Sequence, residues 1–114
     1  MELSSTTQQN MRIVSVAESR IDAAVAIEFK DAMRVQTDDA PNLIILDLSK
    51  VEFIDSSGLG AIVAAMKQLG GSRRLDLAGL TPMVEKVFRL TRMDTIFDLY
   101  SSLSEATAPA SANS

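Results

Sequence analysis

The run Leu43-Ile44-Ile45-Leu46-Asp47-Leu48 constrains this chain more than any other segment, because a strand made from it is apolar on both faces. Such a strand has to be covered on both sides, as in a parallel sheet carrying helices. Pro41-Asn42 marks its start. Val51, Phe53 and Ile54 form a second short apolar patch, which leads into Asp55-Ser56-Ser57-Gly58, a cluster of turn and helix-capping residues. From Leu59 the period changes. Leu59, Ile62, Val63, Met66 and Leu69 fall at the spacing of one helical face, and Gly70-Gly71 supplies residues that can take positive φ and close the helix. Arg74-Leu75-Asp76-Leu77-Ala78 then alternates as a strand does. Leu43 to Ala78 therefore reads as one strand-helix-strand unit with a right-handed crossover.

The flanks extend this α/β pattern. Met11 to Ala17 alternates and reads as a strand, and the spacing of Val25, Phe29 and Met33 predicts a helix from about Ala23 to Val35. Thr81-Pro82 opens a later helix whose inner face is Val84, Val87 and Phe88. A short strand is expected around Ile96 to Leu99, and Ser102 with Glu105 has capping-box spacing for a final short helix. With 114 residues, 46% of them hydrophobic, the chain suits one core. The expected organisation is a single domain over 1–105 and a flexible tail over 106–114, where alanine, serine, proline and asparagine offer little to bury.

Composition removes whole classes of function. There is no cysteine, histidine or tryptophan, so disulfides, thiolate chemistry, a Ser-His-Asp triad and ordinary zinc sites are excluded. The lack of cysteine fits a reducing cytoplasm. Met1 to Asn10 is polar and lacks the pattern of a secretory signal. The longest apolar-biased run, Leu59 to Leu69, is too short for a bilayer, so no membrane insertion is expected. A formal net charge of −4 argues against nucleic acid as a partner, and the adjacent pair Arg73-Arg74 reads as a solvated surface turn. No cofactor and no metal are implied.

Attention therefore falls on Asp55-Ser56-Ser57-Gly58-Leu59-Gly60, which places two hydroxyls between a buried strand and the first turn of a helix. Carboxyl ends of strands and the helix N-termini beside them form the usual functional edge of an open α/β sheet. Free N–H groups and the positive end of the helix dipole would stabilise an anion carried on Ser56 or Ser57. Gly58 and Gly60 leave that turn without bulk, which predicts close access for another protein. Simple helix capping by Asp55, Ser56 or Ser57 is the competing explanation. Two glycines at a helix start exceed what capping needs, since each costs up to about 1 kcal/mol relative to alanine. A nucleotide loop is not expected, because the Gly-x-x-x-x-Gly-Lys-Ser/Thr spacing and its lysine are missing.

The run from Asp47 to Gly60, Asp-Leu-Ser-Lys-Val-Glu-Phe-Ile-Asp-Ser-Ser-Gly-Leu-Gly, resembles the signature of STAS-domain anti-sigma factor antagonists. More loosely the resemblance extends from Met11 to about Glu105, including Asp22 and the Leu80-Thr81-Pro82 opening. It implies a mixed sheet of four or five strands with helices packed mainly on one side, and a protein that is bound rather than one that catalyses. By resemblance, Ser56 is the phosphate acceptor, with Ser57 the lesser candidate, and Asp22 matches an acidic position in the loop beside the site. The family logic implies two partners. One is an anti-sigma factor that is also a serine kinase, captured by the unphosphorylated form so that a sigma factor is freed. The other is a serine phosphatase that restores the captured state. Ser19 stands where the family usually has glycine, which bears on the geometry of that loop.

The expected contact surface is Asp22, Asp55, Ser56, Ser57, Gly58, Leu59, Gly60 and Ile62. Leu59 and Ile62 are candidates for apolar contact as well as for the core, and their spacing favours the core. Two alternatives stand beside the switch: a STAS structural subunit that is never phosphorylated, in a transport or signalling assembly, and an enzyme using Asp22, Asp55 and Ser56. The second lacks a general base with an evident reason for a shifted pKa.

Overall fold

The computed structural model describes residues 1–108. Its elements are β1 (Leu3–Gln8), β2 (Met11–Val16), β3 (Arg20–Ile21), α1 (Ala26–Gln36), β4 (Leu43–Asp47), β5 (Phe53–Ile54), α2 (Ser56–Leu69), β6 (Arg74–Ala78), α3 (Pro82–Leu90), a 3-10 turn (Met93–Thr95), β7 (Leu99–Tyr100) and α4 (Leu103–Thr107). The main sheet has the order β1-β2-β4-β6-β7, with β1 antiparallel to β2 and the other pairs parallel. A second, two-stranded ladder pairs β3 with β5 in parallel.

β4 is central, which explains its continuous apolar run. Ile44 and Leu46 pack with Phe29, Met33, Ile62, Val84 and Phe88 of α1, α2 and α3 in the main core. Ile45 faces the other way, joining Ile13, Ala78 and Ala106 in a smaller cluster covered by α4. The mixed five-stranded sheet with helices mainly on one face is thus the architecture expected. It follows from burying one strand on both sides.

The differences from the expected elements have local causes. Met1 to Asn10 carries a strand, because β1 pairs with β2 along its whole length through a tight connection in which Gln9 takes φ 54°. Glutamine rarely adopts that conformation, and Ser-Ser-Thr-Thr has no apolar alternation to signal an edge strand. Helix α1 begins at Ala26 rather than Ala23, because Asp22 holds a turn ahead of it: Ala24 N–H donates to Asp22 Oδ1 at 3.1 Å and Val25 N–H to the Asp22 carbonyl at 3.0 Å. The last strand is Leu99–Tyr100, not Ile96 to Leu99. Met93–Thr95 winds a 3-10 turn after left-handed Arg92, which drives Phe97 into the core against Phe88 and leaves Ile96 outside.

Helix α4 runs through Thr107 with Ala106 buried, and the Ser102 hydroxyl accepts from Glu105 N–H at 3.1 Å as its cap. Residues 106 and 107, placed in the tail by composition, are therefore helical. The tail expected over 106–114 lies from residue 109 onward outside the described residues. Arg73 and Arg74 are likewise not a free basic pair. Arg73 donates from Nε to the Leu69 carbonyl at 3.2 Å and from a terminal nitrogen to the Thr37 carbonyl at 2.7 Å, closing the ends of two helices. Arg74 Nε lies 2.8 Å from buried Asp76, and its guanidinium also meets Asp98. The Asp76 hydrogen bond and charge hold the Arg74 guanidinium above its ordinary pKa.

Candidate functional site

Ladder β3–β5 lies where the chain leaves the sheet and delivers it into α2. Arg20 and Ile21 stand opposite Phe53 and Ile54, so the loop after Ile21 lies beside the start of α2. Asp55 is the N-cap of that helix, in extended conformation, and its Oδ1 accepts from Gly58 N–H at 2.9 Å. Its other oxygen, Oδ2, accepts from Ala23 N–H at 3.2 Å. One carboxylate thus caps α2 and clamps the Asp22 loop to it.

This arrangement resolves the capping question. Since Asp55 is the cap, Ser56 and Ser57 are the first two residues of the helix, and both are exposed. Their hydroxyls have no hydrogen-bond partner among the described residues. The helical ladder opens with Leu59 N–H on the Asp55 carbonyl, and Gly58 N–H is taken by the Asp55 side chain. The amides of Ser56 and Ser57 remain the free donors at the positive helix end.

The two glycines separate in role. A Cβ on Gly58 would stand 2.0 Å from the Ile21 carbonyl oxygen, so Gly58 is needed for the first turn of α2 to press against β3. Its expected part in partner access is corrected: Gly58 is buried against the protein's own backbone. Gly60 has no atom within 4 Å of a Cβ position and is exposed, leaving open surface one turn from Ser56. Ile62 is fully buried, which removes it from the expected contact surface, and Leu59 is half-buried against the core. The most buried positions of α2 are Gly58, Ala61, Ile62, Ala65 and Leu69, a face rotated from the large-residue stripe toward the small residues.

The surface that remains is Asp22, Asp55, Ser56, Ser57, Gly60 and the accessible part of Leu59. Asp22 is half-buried, turned toward Ala24 N–H and toward Arg20, whose guanidinium lies 3.5 Å away. Ser19 does not need glycine's freedom here, since Gln9 and Arg92 are the non-glycine residues with positive φ among those described. Its carbonyl accepts from Glu52 N–H at 2.7 Å and Phe53 N–H at 3.3 Å, fixing the chain before Ser56. No cluster of three or more acidic residues is placed to hold a metal among the described residues, and none of their helices is long and apolar enough to cross a membrane.

Fold and site together define a small α/β domain that exposes two hydroxyls at the start of a helix. A family model described as the STAS domain matches residues 2–106, and the chain belongs to that family. The chain is 29% identical over 86 residues to the anti-sigma-F factor antagonist RsfB of Mycobacterium tuberculosis, covering 75% of this chain and 70% of that protein. Over 80 residues it is 32% identical to the anti-sigma-B factor antagonist of Listeria monocytogenes, covering 69% and 70%. Among solved structures, an anti-sigma factor antagonist from Mycobacterium paratuberculosis superposes with a TM-score of 0.81 at 28% identity, over 92% of this chain and 89% of that one. These relatives are named as antagonists of anti-sigma factors and not as enzymes.

Proposed function

We propose that this chain is a cytoplasmic anti-sigma factor antagonist whose unphosphorylated form binds an anti-sigma factor that is also a serine kinase, freeing a sigma factor. Phosphorylation of Ser56 by that kinase ends the binding, and a serine phosphatase restores it. One observation carries the reading. Asp55 performs the capping, so the Ser56 hydroxyl is left exposed, with no hydrogen-bond partner among the described residues, at a helix end that favours negative charge. All three of the similar proteins described above are named anti-sigma factor antagonists, which supports the choice of partner.

The switch then needs no refolding. A phosphate adds about −1.5 to −2 charge at pH 7 to a surface suited to a neutral hydroxyl. The free amides of the first turn stabilise that charge within the folded protein, whereas a docked partner has to desolvate or repel it. A cost of roughly 3 to 4 kcal/mol corresponds to an affinity loss on the order of a hundred- to a thousandfold.

The test is incubation with ATP and a purified serine-kinase anti-sigma factor from the same genome, with the modified site read by mass spectrometry. The expected result is one phosphate on Ser56, with Ser56→Ala unmodified yet still bound and Ser56→Asp weakly bound. Modification confined to Ser57 moves the acceptor by one residue. Binding unaffected by either substitution, with no modification, favours an unphosphorylated structural subunit instead.

A further inference from the structure

The four phenylalanines of the chain divide sharply. Phe29 and Phe88 are fully buried and Phe97 is 2% exposed, but Phe53 is 44% exposed. Strand parity explains its direction: Ile54 faces the core, so Phe53 has to face out. Parity does not explain the ring, because a threonine would serve an exposed two-residue strand without leaving an aromatic surface in water. Nor is the ring loose. Its backbone N–H is held by the Ser19 carbonyl, and Arg20, directly across the ladder, lays its guanidinium 5.7 Å from the ring centroid. The Arg20 side chain is 65% exposed and makes one long contact, 3.5 Å to Asp22, so most of its five donors face solvent.

Phe53 precedes Ser56 by three residues, a span of about 10 Å in extended chain. A typical interface covers about 800 Å² on each partner, so a footprint centred on Ser56 is wide enough to include Phe53. Pre-ordered aromatic rings and arginines are the groups that most often dominate such contacts.

We propose that the Arg20–Phe53 stack is a second anchor for the serine-kinase partner, with the ring filling an apolar pocket and the guanidinium meeting a carboxylate on its rim. This rests on Ser56 being the switch serine. The anchor acts in docking and leaves the phosphoryl transfer itself untouched, so it belongs in KM and in affinity rather than in kcat.

The experiment measures steady-state phosphorylation by the purified kinase that modifies Ser56, for wild type, Phe53→Ser and Arg20→Gln, beside melting curves. The expected result is a KM at least tenfold higher for Phe53→Ser and several-fold higher for Arg20→Gln, with kcat within twofold. Should Phe53→Ser lower the melting temperature, Arg20→Gln, which keeps the ring, decides the matter. KM values within twofold of wild type for both variants overturn the anchor while Ser56 phosphorylation leaves the switch intact. Failure of any such kinase to modify Ser56 removes switch and anchor together. Wild type that sediments as a dimer and Phe53→Ser as a monomer would overturn the proposal in favour of a second copy of this chain.

Discussion

The two ends of α2 carry similar amounts of polar chemistry and use it in opposite ways. At the C-terminal end the glycine and the arginine that follow the helix are spent on the fold. Gly70 turns with φ 85°, and Arg73 binds the Leu69 and Thr37 carbonyls, tying α2 to α1. At the N-terminal end, the Asp55 carboxylate and Gly58 do the structural work, while the Ser56 and Ser57 hydroxyls have no partner among the described residues and Gly60 faces open space. Polar groups bound within the protein hold the helix ends in place, and the exposed hydroxyls at the opposite end are the ones the proposed switch uses.

The contrast is broken most forcefully within the functional end itself. Gly58→Ala drives a Cβ to 2.0 Å from the Ile21 carbonyl, a contact between backbones that cannot be relieved by a rotamer. It should destabilise by about 3 kcal/mol or more in urea unfolding, with exposed α2 first-turn amides in hydrogen exchange. Near-wild-type stability would mean that Gly58 serves access and not packing.

A smaller effect tests the opposite end. Arg73→Ala removes donors from two helix C-termini and should cost about 1 to 2 kcal/mol by the same unfolding measurement, with partner binding unchanged. Lost binding without lost stability would place Arg73 at an interface and undo the comparison. The smallest change has the opposite sign. Gly60 lies in a helix over open space, so Gly60→Ala should raise stability by about 0.5 to 1 kcal/mol. Stabilisation accompanied by weaker partner binding would show that Gly60 is kept for contact rather than for the fold.

What the sequence reveals about this molecule follows the same division. The β4-α2-β6 unit is legible because burial on both faces leaves no choice of residues at Ile44, Ile45 and Leu46. Strand β1 is illegible because an exposed edge of serine and threonine needs no apolar pattern and its turn rests on Gln9 rather than glycine. In the site, Asp55-Ser56-Ser57 marks the right junction, but three residues each able to cap cannot be ranked without the geometry that gives the cap to Asp55. Gly58 and Gly60 look alike in sequence, and only the approach of Ile21, 37 positions earlier in the chain, tells them apart. Arg73 misled for a related reason, since the carbonyl at Thr37 that it caps is remote in sequence. Long-range backbone contacts are the part of the site that local pattern does not carry.

The proposed switch requires that a charge on Ser56 be accepted by the fold and rejected by the partner. Titration calorimetry of the phosphorylated and unphosphorylated protein against the same kinase anti-sigma factor, alongside their melting curves, tests it most directly. Melting temperatures should agree within a few degrees while affinity falls on the order of a hundred- to a thousandfold. Equal affinity for both forms, or a phosphorylated form that binds weakly only because it has unfolded, would contradict it.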